Sequence, residues 1–264
     1  AYFEDPRDYI NDERDLTIPW ELYWVWNSEW FKKFVAIAKY YDMWMICDYH
    51  GYEEPYNYEE EWIQIWRDEI IAPHKNLYDK LVWEPCNEPL ISNTNLTETQ
   101  AVAELGRLYQ RWIDMCRALG DTHYIIASGK CFWSGLRPVY RWFPVLNDPL
   151  KKTYLNYHMY YFRRYNEQEW TVEAAQAYAD WWTNNILELM DQQPDLCGFC
   201  NTETGDGQGG NYDNVDIAYL TRLTENFFRE RIGLIYWCAG DWMGGYELYG
   251  MMNSWGNEIP LPPT

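Results

Sequence analysis

The chain has 264 residues, 47% of them hydrophobic, which is enough to bury one large core and suits a single domain over residues 1–264. It carries 21 Lys and Arg against 41 Asp and Glu, a net charge of 21 − 41 = −20, and this argues against nucleic acid, against anionic membrane surfaces and, more weakly, against polyanionic sugars as partners. No apolar run approaches the ~20 residues of a membrane-spanning helix, and no basic-then-apolar leader opens the chain.

In chain order the pattern alternates between short apolar runs and amphipathic segments. Residues 1–16 are too charged for a buried strand, and Leu16–Pro19 is the first short strand candidate. Trp30, Phe31, Phe34, Ile37 and Ala38 recur at helical spacing over 28–41. Met43–Cys47 reads as a strand ending in Asp48-Tyr49-His50-Gly51, and 59–71 as a helix. The run Leu81-Val82-Trp83 suits a buried strand that delivers Asn87 and Glu88 to its end, because Pro89 cannot continue a ladder.

A long helix opens at Thr97, a residue suited to cap it, and runs to Leu119. Strands follow at 123–127 and 153–157, the second ending in His158-Met159-Tyr160. A helix over 172–190 leads to a strand over 196–200, which gives way to Asn201-Thr202-Glu203-Thr204-Gly205. A helix over 215–229 and a strand over 233–238 close the series. No amphipathic helix is visible after Met243.

Strands alternating with helices define an α/β protein with parallel strands joined by right-handed crossovers. Seven strands are one short of a closed (β/α)8 TIM barrel. The expected fold is that barrel with a missing or degenerate first strand and last helix, and an open doubly wound sheet is the alternative. Function in such barrels sits at the C-terminal strand ends. Two carboxylates there, Glu88 and Glu203, are the minimum equipment for cleaving a glycosidic bond. Seventeen Trp and 24 Tyr bring aromatic content to 19%, and flat rings in loops after strands, such as Trp133 and Trp237, suit the apolar faces of sugars. Packing in the core is the competing reading for each ring. Cys197-x-x-Cys200 has no second cysteine pair beside it, so a zinc site is not indicated.

The strand endings MWMICDYHG, LVWEPCNEP, IIASGKCFWSG, YLNYHMYY, CGFCNTETG and IYWCAGDW, in that order, resemble family 5 of the glycoside hydrolases, retaining enzymes on a (β/α)8 barrel. The resemblance implies that Glu88 is the acid/base and Glu203 the nucleophile. It places Asn87, His50, His158, Tyr160, Trp237 and Trp133 at the substrate, with Tyr160 holding Glu203 through its phenol and Trp237 forming the floor of the sugar site. For His50 and His158 a satisfied core histidine is the alternative. Glu84 lies in the Glu88 segment, but its direction is unclear from the sequence. The family also carries an Arg near the nucleophile, and Leu16–Trp20 has none.

The implied activity is double displacement on the β-glycosidic bonds of a neutral polysaccharide, foremost as a cellulase-like endo-β-1,4-glucanase. The alternatives are a β-mannanase, an exo-β-glucosidase, or a carbohydrate-binding barrel without catalysis. No cofactor and no metal is expected, since His50 and His158 alone are too few ligands. The expected partner is a neutral β-linked oligo- or polysaccharide, without nucleic acid or membrane, and the expected location is extracellular.

Overall fold

The computed structural model describes residues 2–4, 28–91, 93, 95–129, 143–160, 171–205 and 214–236. These fall into two compact units. The first holds the described residues up to 129 together with 144–153; the second holds 143, 154–160, 171–205 and 214–236.

In the first unit four strands, β1 (Tyr2–Glu4), β2 (Met45–His50), β3 (Leu81–Glu84) and β4 (Tyr124–Ser128), pair in parallel in chain order. Parallel neighbours need a long crossover. Here α1 (Ser28–Tyr40) leads into β2, and α5 (Glu98–Ala118) connects β3 to β4. Between β2 and β3 lie α2 (Glu54–Asn57), α3 (Glu59–Gln64), a π-helical stretch (Ile65–Ile71) and α4 (Ala72–His74). All four residues of β3 are buried, as a strand covered on both faces requires. β2 alternates buried and half-buried residues, with Cys47 and Tyr49 on one face and Asp48 and His50 on the other. Thr97 caps α5 in a capping box with Gln100.

Trp62, Trp66, Trp83 and Trp112 are fully buried, and Trp66 meets Trp83 and Trp112 edge-on at centroid distances of 6.1 and 5.2 Å. Packing therefore absorbs these four tryptophans. The same unit holds a buried polar cluster. Arg117 grips Asp148 through two parallel hydrogen bonds of 3.0 and 2.8 Å. Asp148 also accepts from the backbone N–H of Leu150 and Lys152 and from the Thr153 hydroxyl. Burial alone would raise the Asp148 carboxyl, but Arg117 and these N–H donors hold it down at about 2.

In the second unit β5 (Thr153–Asn156, with Thr153 at the boundary), β6 (Gly198–Thr204) and β7 (Gly233–Tyr236) are again parallel. The helices α6 (Val172–Gln192) and α7 (Asn214–Glu230) connect them. Tyr178 lies flat against Trp181 at 5.7 Å and tilted against Tyr219 at 5.9 Å, which ties α6 to α7.

Three expectations need correction. Residues 2–4 form a strand despite the charge around them, because backbone pairing with 48–50 needs only a few extended residues. The Leu81 strand ends at Glu84, ahead of Pro85 rather than Pro89, since Pro85 already lacks the N–H to continue. The 196–200 strand instead spans Gly198–Thr204, so Glu203 lies inside a strand. The Leu16–Pro19 strand and the segment after Met243 lie outside the described residues.

Candidate active site

Past β3, several backbone groups of the turn have partners nearby. The Pro85 carbonyl accepts from both the Trp62 and Trp66 indoles, at 2.9 and 3.2 Å, and the Cys86 carbonyl accepts from the Tyr109 hydroxyl at 3.2 Å. The N–H groups of Asn87, Glu88 and Leu90 donate to the carbonyls of Tyr49, Gly51 and Tyr52 at 2.8, 3.3 and 2.7 Å. The Cys86 thiol donates to the Gly51 carbonyl, and burial pushes that thiol well above its ordinary range. Buried backbone must be satisfied, and here that requirement fixes Asn87-Glu88 against the segment that follows β2. Gly51 is obligatory at this crossing. A Cβ there would sit 2.3 Å from the Tyr49 ring and 2.7 Å from the Glu54 carboxylate.

Asn87 is buried, at 5% exposure, and Glu88 half-buried. His50, at the end of β2, contacts the Asp48 carboxylate through Nδ1 at 3.2 Å. The other Asp48 oxygen is buried without a hydrogen-bond partner among the described residues. Glu84 is 2% exposed and accepts from the Ser128 hydroxyl at 3.4 Å, so it belongs to the interior of the unit. The first unit thus gathers His50, Asn87 and Glu88 around the ends of β2 and β3.

The second unit builds a seat for Glu203. Pairing of β6 with β7 steps from Asn201↔Leu234 to Thr204↔Tyr236, three residues against two. One extra residue makes a β-bulge, a device that re-aims side chains. Its freed amides find side-chain acceptors. The Glu203 N–H donates to Asn201 Oδ1 at 3.0 Å, and the Thr202 N–H to Asn156 Oδ1, also at 3.0 Å.

With Oδ1 fixed as the acceptor, the Asn156 amide nitrogen must be the group that donates to Thr202 Oγ1, at 2.6 Å. The Thr202 hydroxyl in turn faces His158 Nε2 at 3.3 Å. His158 Nδ1 lies 3.6 Å from Glu203 Oε2, and the Tyr160 phenol donates to Oε1 at 2.5 Å. Glu203 is 13% exposed and His158 only 5%. A donor this close fixes the plane of the carboxylate. The neutral His158 tautomer with its proton on Nδ1 suits both neighbours, accepting from Thr202 and directing N–H toward Glu203.

Of the predicted site residues, Tyr160, His158 and Glu203 meet in the second unit, and Trp133 and Trp237 lie outside the described residues. Sequence reasoning missed Asn156, Asn201 and Thr202. Their only signal is that three small polar residues flank His158 and Glu203 where apolar strand residues would be the default.

A seated carboxylate at a bulged end of one parallel strand and a pinned Asn-Glu pair beyond another are features that a glycoside hydrolase on a (β/α)8 barrel requires. The sequence model of the cellulase family, glycosyl hydrolase family 5, matches residues 19–242, and the chain belongs to that family. No curated protein matches the sequence.

Solved structures show the same fold at low identity. A family 5 lichenase from Caldicellulosiruptor sp. F32, a mutant in complex with cellotetraose, is 16% identical with a TM-score of 0.67, covering 88% of this chain and 72% of its own. A xyloglucan-specific endo-β-1,4-glucanase from a metagenomic library, in complex with cellotriose, is 20% identical with a TM-score of 0.64 over 86% and 73%. An endo-β-1,4-glucanase from Xanthomonas axonopodis pv. citri is 19% identical with a TM-score of 0.56 over 81% and 69%.

Proposed function

We propose that this β-glycanase cleaves internal β-1,4 bonds of a neutral glucan with retention, with Glu203 as nucleophile and Glu88 as acid/base. The observation that supports it most is the seat of Glu203, a carboxylate held by Tyr160 and faced by His158 at a strand bulge. The cello-oligosaccharides bound by the lichenase and by the xyloglucan-specific enzyme support a β-linked glucan as substrate.

In the first step a Glu203 oxygen attacks the anomeric carbon while Glu88 gives its proton to the departing glycosidic oxygen. An ester between Glu203 and the sugar forms as the glycosidic bond breaks. In the second step Glu88 takes a proton from water, whose oxygen displaces Glu203. Retaining enzymes hold the two carboxyl groups ~5–5.5 Å apart for this exchange. Asn87 donates to the hydroxyl next to the anomeric carbon, His50 and His158 meet further hydroxyls, and Trp237 and Trp133 offer ring faces. The setting we assign is extracellular.

The test is covalent trapping. A 2-deoxy-2-fluoro-β-cellobioside with a good leaving group should inactivate the protein, and peptide mass mapping should find the sugar on Glu203. A label on any other residue, or turnover of barley β-glucan that survives Glu203→Gln undiminished, sinks this reading.

A further inference from the structure

A concavity lies in the first unit, at the ends of β3 and β4 away from Asn87 and Glu88. It has a volume of about 510 Å³, and Lys39, Lys75, Lys152, Asn76, His123 and Tyr124 are among the residues lining it. Each lysine donates to a main-chain carbonyl: Lys39 to Leu77, Lys75 to Leu119 and Lys152 to Thr122. An ammonium has three protons, so each keeps donors to spare. Among the described residues none of the three has a carboxylate partner, whereas Lys32 pairs with Glu29 and Lys80 with Asp42. Asp79 is the one acid in the lining. His123 is turned away from ligand duty, since its ring nitrogens already face Asp121 and the Tyr78 carbonyl.

Tyr124, in the lining, has a cation and a further ring beside it. Lys152 Nζ sits 5.2 Å from the centre of the Tyr124 ring, and Trp44 meets that same ring edge-on at 5.7 Å. Trp44 is 56% exposed and Tyr40, next to Lys39, is 61% exposed. A large flat ring held by a neighbour yet open to solvent is a ready surface for the apolar face of a sugar.

Three ammonium groups with no carboxylate partner among the described residues are unexpected in a chain of net charge −20. Charges farther than ~8 Å are screened at physiological ionic strength, so inside the hollow the local cations set the potential.

We propose that this hollow binds a glycan segment bearing carboxylates, a uronic-acid-containing chain, with one sugar face on Trp44 and its carboxylate on Lys39 and Lys152. It is a binding site without catalysis, and it stands on the first unit alone, independent of the roles given to Glu88 and Glu203. The net charge repels polyanions in general, so capture of one requires a local site.

The experiment is equilibrium binding of fluorescently labelled trigalacturonate to the full chain, with cellotriose as the neutral competitor. Saturable binding is expected, weakening with salt. It should fall at least tenfold in Trp44→Ala and in the double variant Lys39→Ala, Lys152→Ala, and stay unchanged in Glu203→Gln. Hydrolysis of a short aryl β-cellobioside should be the same in Trp44→Ala as in the parent, which also shows that the variant folds. Absence of saturable binding, full retention of binding in Trp44→Ala, or displacement by cellotriose at matching concentration would each overturn the proposal. A chain that binds trigalacturonate in this pattern but hydrolyses no β-glycoside would refute the proposed function and leave this site standing.

Discussion

Tyr160 and His158 address the two Glu203 oxygens separately, and each can be removed alone. Tyr160→Phe deletes the donor to Oε1 while keeping the ring. On β-glucan, kcat/KM should drop by ~10²-fold, the scale of one lost donor at a charge-bearing centre, with an unaltered circular dichroism spectrum. Glu88→Gln removes the general acid, a contribution of ~10²–10⁴-fold. Its loss should be larger for natural glucan, whose leaving oxygen needs a proton, than for an aryl glycoside with an acidic phenol. Equal losses on both substrates would exclude Glu88 as the acid. At this scale the sequence was informative about identities: Asn87-Glu88-Pro89 and His158-x-Tyr160 stand out as written. It was silent about Glu84, which is buried and accepts from Ser128, 44 residues away.

The β6 bulge carries the larger share of the positioning. In a regular strand Thr202 and Glu203 would point to opposite faces, yet both contact His158. Asn201→Ala leaves the Glu203 N–H without its acceptor. It should lower kcat by tenfold or more at nearly constant KM and cost ~1–3 kcal/mol of stability, read from urea melts of parent and variant. Thr97→Ala, which touches no proposed site residue through its capping contacts, should cost ~1 kcal/mol through the lost α5 cap and leave kcat untouched.

Elements with a strong period, such as α1, α5 and α7, were legible because an apolar stripe repeats along them. The end of β6 was not, because Asn and Thr read as loop and a bulge has no period of its own. Strand β1 was hidden for a related reason: three residues cannot show alternation, and acids surround them. The order of strands and crossovers, by contrast, follows from apolar runs and intervening helices alone.

For the molecule as a whole, acid is the informative stress. Asp148 titrates at about 2 in the folded chain against ~3.9 unfolded. A depressed carboxylate stabilises fully above the unfolded value, and that contribution disappears as pH falls from about 4 toward 2. Asp121 is also lowered; burial opposes this and its contact with His123 overcomes it, so it adds in the same direction. Unfolding free energy should therefore decline below pH 4, with on the order of 2 kcal/mol of the loss due to Asp148. Asp148→Asn should remove that part of the slope. Arg117→Met, which strands a buried carboxylate, should cost ~3–5 kcal/mol at pH 7. A pH-independent stability between 5 and 2 in the parent chain would contradict the cluster.

The side-chain acceptors at the β6 bulge also supply a private reporter. The Thr202 and Glu203 amide protons are shielded by two asparagines instead of by an adjoining strand. Their deuterium uptake should follow the opening of those two contacts rather than fraying of the sheet. A sugar bound over Glu203 should slow exchange at these two positions while leaving Cys200 as it was, so that occupancy can be followed in a variant too inactive to assay by turnover.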